Sequence, residues 1–187
     1  MLNFPLKTRC SIATQTTNAH GMALFQVPQH CRSWLFDPGS LTKRLQQISN
    51  NHFCVNLLRQ YQGKATAIEQ FALSLRTRSQ PFIREVELLC HDEPWVFART
   101  LIPMPTLMGE AKLLTRLGTK PLGAALFSSP HVSRGPITVK RIHSSQLPLS
   151  QPIAPQWLWG RHSVFYVNRA PLLVNEIFLP NCPFYSL

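Results

Sequence analysis

Beyond Glu110 the last 77 residues of this 187-residue chain hold one carboxylate, Glu176, set in the middle of the apolar run LLVNEIFLP. A charge in such a run is costly unless something pairs with it. Strand alternation places Leu172, Val174, Glu176 and Phe178 on one face, so the carboxylate points where its neighbours form a core. The fold must therefore bring a polar partner to the inside of a sheet, and Glu176 is the first candidate for site chemistry.

The rest of the pattern fits a sheet built from hairpins. FIREVELLC, the turn CHDEP and WVFARTLIP read as two strands of one hairpin, and WLWGRHSVFYV and LLVNEIFLP as a second, turning around Asn168 to Pro171. HFCVNLLRQ and ITVKRI add strands. DPGSLTKRLQQIS is a turn followed by a helix with Ser40 at its cap. TLMGEAKLLTRLG is helical by the spacing of Leu107, Ala111, Leu114 and Leu117, ended by Gly118, and Pro121 opens PLGAALFSS. AIEQFALSLRTRSQP is ambiguous, and SSQLPLSQPIAPQ is a Pro- and Ser-rich loop. Strands in hairpins with helices between them imply a single α+β domain, an antiparallel sheet with helices packed against it. Organised sequence begins near Trp34, which predicts a poorly ordered extension over residues 1–30 and a domain over 31–187.

The formal charge of +11 comes from scarce acids, since Lys and Arg total 19 and Asp and Glu total 8. No Lys/Arg run exceeds two residues and no basic stripe alternates with aromatics, which argues against a nucleic-acid partner. A positive field equally steers a small anion inward. The five cysteines are scattered without a C-x-x-C pair, and the seven histidines are dispersed, so neither a zinc site nor a disulfide framework is expected. Reduced thiols fit a cytoplasmic protein. No apolar stretch approaches the roughly 20 residues of a membrane span.

Three charged side chains fall on apolar faces. They are Glu176, Arg161 beside Trp159 and Phe165, and Arg84, which shares a face with Phe82, Val86 and Leu88. One reading is a structural ion pair. The other is a closed polar pocket in which an arginine fork grips a planar carboxylate and the acid serves the opposite end of an aromatic-sized anion. Glu85 and Glu87, on the other face of their strand, are expected to meet water or pair with basic residues of a neighbouring strand. Arg99 either reinforces the pocket or is structural. Ser163 and His162 are adjacent on one strand and point to opposite faces, so they do not form a nucleophile and base pair.

Seven motifs in order, S-L-T-K-R-L, I-R-E-V-x-L-L-C, E-P-W-V-F-A-R-T-x-x-P, T-L, L-G-x-K-P-L-G-x-x-L-F, L-W-G-R-H-S and L-L-x-x-E-x-F-L-P, run from about Trp34 to Tyr185. Together they resemble the chorismate pyruvate-lyase family. The resemblance implies a single α+β domain with a buried ligand pocket. The implied reaction converts chorismate to 4-hydroxybenzoate and pyruvate, the first step of ubiquinone biosynthesis, with no metal or organic cofactor. It further implies that Arg84 grips the ring carboxylate and Glu176 attends the ring hydroxyl, and that Leu41 and Leu122 present backbone amides to that carboxylate. Leu41 stands where the family pattern has Met, and His162 replaces a second Arg after W-G-R.

Chorismate is a dianion that becomes aromatic once its C4 hydrogen and C3 enolpyruvyl group leave, so placement in a water-poor pocket does most of the work. Arg161 is the expected anchor of the enolpyruvyl carboxylate. A pocket closed over a flat product implies slow release, with the segments around Leu41 and Leu122 as lids. The chain is expected to act as a monomer. The alternative is a non-enzymatic domain of the same fold that senses small aromatic acids.

Overall fold

Two short turns set the architecture. Strands β3 (Phe82–Cys90) and β4 (Glu93–Ile102) are joined through His91 and Asp92, at φ 52° and 63°, and β7 (Trp157–Val167) and β8 (Ala170–Phe178) through Asn168 and Arg169, at φ 49° and 67°. Paired left-handed residues give a turn whose twist matches that of the strands it joins. The two hairpins associate through β4 and β8, with Ala98 opposite Glu176 and Thr100 opposite Val174.

The computed structural model describes residues 16–18, 27–108, 110–127 and 131–186. It adds β1 (Thr16–Asn18), β2 (Phe53–Gln62), β5 (Val132–Arg134) and β6 (Thr138–His143) to give an antiparallel sheet ordered β1-β6-β7-β8-β4-β3-β2, with β5 also paired to β7. Four helices accompany it: α1 (Gln29–Leu35), α2 (Leu41–Ile48), α3 (Ala67–Ala72) and α4 (Leu122–Phe127). The α+β class and the two hairpins agree with the sequence reading. Ser40 caps α2, accepting from the Lys43 amide at 3.4 Å.

Each face of the sheet has its own cover. On one, Trp34, Leu35, Leu41 and Leu45 pack on Val86, Leu88, Ala98 and Phe178, and Leu114, Leu122 and Leu126 pack on Phe165, Leu172 and Val174. On the other, Ala65 and Leu73 beside α3 meet Ile83, Leu101 and Leu173, while Leu147, Leu149 and Ile153 of the Pro-rich loop cover Phe97, Leu158 and Ile177. Each fully buried aliphatic or aromatic side chain contributes about 1.5–3 kcal/mol. The core is thus divided by the sheet, and each half can hold its own cavity.

Several elements escaped the sequence. Thr66 caps α3 in a reciprocal box with Glu69, a T-x-x-E signal that starts one residue before the segment read as ambiguous. The stretch expected as one helix across Leu107–Leu117 forms two 3-10 segments, Met104–Leu107 and Glu110–Arg116. Pro105 cannot donate an amide, and Leu113 is exposed while Leu114 is buried, so no continuous apolar face rewards a longer α-helix. Within residues 1–30, Val27 is buried, α1 opens at Gln29 and Thr16–Asn18 pairs with β6. Residues 1–15 and 19–26 lie outside the described residues.

Candidate active site

The helix-covered face beside β3, β4 and β8 encloses a small cavity lined by Arg84, Glu176, Leu41, Leu122, Thr100 and Phe165, among others. Arg84 enters from β3 and Glu176 from β8, with β4 between them, a lateral spacing of roughly 10 Å for two strand steps. Register decides this: Arg84 pairs with Thr100, Thr100 with Val174, and Ala98 with Glu176, so the two side chains rise from the same face.

Arg84 is buried, and its Nη2 donates to the carbonyls of Gly118 at 2.8 Å and Lys120 at 3.1 Å. Gly118 sits at φ 53°, a conformation glycine adopts without strain, and this turn presents the carbonyls that hold the guanidinium. The Nε of Arg84 is buried and has no hydrogen-bond partner among the described residues. Burial without a counter-charge lowers its pKa from the usual arginine value.

Glu176 lies directly opposite Arg161 on β7, and its Oε2 accepts from Arg161 Nε at 2.6 Å. Arg161 is 1% exposed, and its Nη1 donates to the carbonyls of Trp34 at 2.7 Å and Asp37 at 2.8 Å. It stands behind Glu176 and does not line the cavity. One guanidinium thus fixes the carboxylate and ties the segment between α1 and α2 to the sheet.

Leu41 and Leu122 are the first residues of α2 and α4, where amides have no partner within the helix. The helices meet closely at Gly123, where an added Cβ would lie 2.6 Å from Thr42 Oγ1. Both leucines line the cavity. Its volume is about 40 Å³, a few times the roughly 10–15 Å³ that one water requires on this measure. A six-membered ring enters only if α2 or α4 yields.

Arg134, which carries no alternation signal in VSRGPI, was missed by sequence. Its Nε donates to Ser163 Oγ at 3.0 Å and its Nη1 to the Pro38 carbonyl at 3.1 Å, and it lies 5.0 Å over the Phe165 ring. Burial lowers its pKa, while the Glu176 carboxylate pulls it upward.

Other candidates fall elsewhere. Arg99 projects from the opposite face, where it bonds Glu69, Tyr61 and Glu85, so it does not reinforce this pocket. Glu85 and Glu87 do not face water, each being 1% exposed. Glu85 pairs with Arg59 and Arg99, and Glu87 accepts from Asn56, Ser150 Oγ and the Ser150 amide. The Pro-rich loop folds over this face and covers them. Ser163 and His162 do point to opposite sides, Ser163 to Arg134. The described cysteines Cys31, Cys54, Cys90 and Cys182 are free thiols, and burial pushes that of Cys182 up to about 12. Among the described residues no three His, Cys, Asp or Glu side chains converge as a metal site.

A family model described as chorismate lyase matches residues 14–186. A probable chorismate pyruvate-lyase of Thiobacillus denitrificans is 36% identical over 185 residues, covering 94% of this chain and 97% of that protein. One of Pseudomonas aeruginosa is 40% identical over 147 residues, covering 79% and 82%. Among solved structures, the effector domain of PhnF from Mycobacterium smegmatis superposes with a TM-score of 0.51 at 13% identity, covering 76% of this chain and 90% of that one. That likeness concerns the fold, the antiparallel sheet with its covering helices. With the family model spanning nearly the whole length and relatives at this identity, the chain belongs to the chorismate lyase family, a family of lyases.

Proposed function

We propose that the protein cleaves chorismate to 4-hydroxybenzoate and pyruvate without a cofactor, in the cytoplasm and as a monomer, supplying the first step of ubiquinone biosynthesis. The observation that carries this reading is the buried Arg84 Nε, which has no hydrogen-bond partner among the described residues and shares a cavity with Glu176. A buried guanidinium whose charge is met by carbonyls alone and whose Nε donor is unmet is costly unless an anionic ligand completes it. Arg84 holds the ring carboxylate, joined by the Leu41 and Leu122 amides at two helix starts. Glu176 takes the hydroxyl end.

In the reaction the C3–O bond to the enolpyruvyl group breaks and C4 loses its hydrogen. The ring becomes aromatic and keeps its hydroxyl, and the departing enol takes up the proton as pyruvate. Glu176, held by Arg161, is placed to accept from the C4 hydroxyl and steady developing charge, in a cavity whose low dielectric strengthens each contact. The bonds of Arg161 to Glu176 and to two main-chain carbonyls favour a positioning role over direct anchoring of the enolpyruvyl carboxylate. The lids are α2 and α4, in contact at Gly123. The catalytic domain is read as residues 31–187, with Val27 packed onto its core.

Purified protein given chorismate should release 4-hydroxybenzoate and pyruvate in equal amounts. Formation of both at the uncatalysed rate would end this reading. The fold shared with an effector domain keeps one alternative, a sensor of aromatic acids, which would bind 4-hydroxybenzoate tightly and leave chorismate intact.

A further inference from the structure

On the sheet face opposite Arg84 lies a second cavity of about 340 Å³, between α3, β6 and the Pro-rich loop. It shares no lining residue with the first, whose volume is about 40 Å³. Its walls combine an apolar surface (Phe97, Ile142, Leu147 and Ile177) with a buried charge network.

The network leaves one cation unneutralised. Arg99 Nε donates to Glu69 Oε1 at 2.9 Å and its Nη2 to Glu69 Oε2 at 3.3 Å, and Arg99 and Arg59 both bond Glu85. Glu69 Oε2 also accepts from the Thr66 amide at 2.9 Å. Both carboxylates are therefore consumed by arginines. Lys140 is left, 9% exposed, and its Nζ donates to the neutral Asn175 Oδ1 at 2.6 Å. Among the residues lining the cavity, the three cations Arg59, Arg99 and Lys140 stand against the carboxylates Glu69 and Glu85, an excess of one positive charge; Glu87, further along the same face, lies outside the lining and is held by Asn56 and Ser150. An ammonium has three donors, and among the described residues Asn175 supplies its one hydrogen bond. His162, on the same face, offers no anion; burial and the Lys140 charge push it down to about 4, so it is neutral.

We propose that this cavity is a second ligand site, one that takes a small organic monocarboxylate with its carboxylate on Lys140 Nζ and its apolar body against Phe97, Ile142 and Ile177. The single excess charge selects a monoanion, because a second carboxylate would meet the saturated Glu69 and Glu85. The apolar wall selects a compact hydrocarbon body over a sugar phosphate. The cavity is large enough to admit a ring without parting α2 from α4. Burial lowers the Lys140 pKa to about 8, so the ammonium persists at neutral pH and is lost just above it.

Benzoate is the probe, titrated by calorimetry at pH 7 into the whole chain. The wild type should take two benzoates, one on Arg84 and one on Lys140, while the Arg84→Ala and Lys140→Met variants should each take one. In Arg84→Ala, adding Lys140→Met should weaken the remaining binding at least about tenfold, since a charge-assisted contact is lost. Ile142→Trp, which fills the cavity and keeps the lysine, should do the same, and covers the case in which Lys140→Met fails to fold. Raising the pH above about 8 should weaken this binding, and uncharged benzamide should not bind. Should Arg84→Ala take no benzoate, or take it with unchanged affinity after both Lys140→Met and Ile142→Trp, the second site is excluded. If the wild type takes one benzoate and Lys140→Met takes none, the Lys140 site stands and the Arg84 reading fails.

Discussion

Arg161 and Glu176 face each other across β7 and β8, with Arg161 Nε 2.6 Å from Glu176 Oε2 and the arginine almost wholly buried. The bond fixes one carboxylate oxygen, and Oε1 has no hydrogen-bond partner among the described residues. A carboxylate pinned at one oxygen is already oriented for a ligand, so little is spent ordering it on binding.

Glu176→Gln keeps a side chain of the same shape but removes the charge that the reaction would use. Turnover on chorismate should fall by roughly 10²-fold while substrate binding changes less, as expected for a group acting mainly in the transition state. Steady-state kinetics with product binding measured in parallel separates the two. Residual activity equal to that of the parent would make the carboxylate structural.

Arg84→Ala should act the other way. Losing a charge-assisted anchor in a dry site costs about 3 kcal/mol, roughly two decades in 4-hydroxybenzoate affinity. The same change deletes a buried cation whose Nε has no partner among the described residues, so thermal stability should hold or rise. A ligand-free melting curve tests that trade of stability for binding.

Gly123→Ala tests the contact between the lids. The new Cβ would sit 2.6 Å from Thr42 Oγ1 and 3.3 Å from Thr42 Cβ, so α2 and α4 must separate. Overpacking of this kind costs about 1–3 kcal/mol. Product dissociation, followed by stopped-flow fluorescence, should quicken. Thr42→Ala in the same chain should restore part of the stability, since it removes the nearer clash.

His162 predicts acid sensitivity. Its folded pKa is lowered to about 4 from 6.5 by burial and by Lys140, so between these values the unfolded chain binds a proton that the folded one does not. The neutral ring costs nothing above pH 6.5, and stability falls as the pH drops from 6.5 towards 4. The loss is at most about 3 kcal/mol at 1.36 kcal/mol per unit. Denaturant unfolding at several pH values should show a flatter profile for His162→Gln than for the parent.

Much of the fold was legible because its signals are local. The period-two alternation marked β3, β4, β7 and β8, the turns at CHDEP and Asn168–Pro171 closed them into hairpins, and the apolar neighbours of Arg84, Arg161 and Glu176 marked these as charges on the core-facing side, where both arginines are buried and Glu176 is partly so. Helix α1 and strands β1 and β5 escaped because each is short, of 7 residues or fewer, and carries too few periods to read. Of the two expectations for Glu85 and Glu87, pairing with basic residues of neighbouring strands holds for Glu85, with Arg59 and Arg99, while Glu87 is met by Ser150 of a loop 63 residues further along the chain, which no local pattern reveals.

The sequence by itself determined which side chains are charged within apolar strands, since alternation is fixed by each strand's own pleat. Tertiary structure alone decided which of them meet. Register between strands is a non-local choice. It set Arg161 against Glu176, placed Arg84 one strand beyond β4 on the same face, and sent Arg99 and Lys140 to the other side.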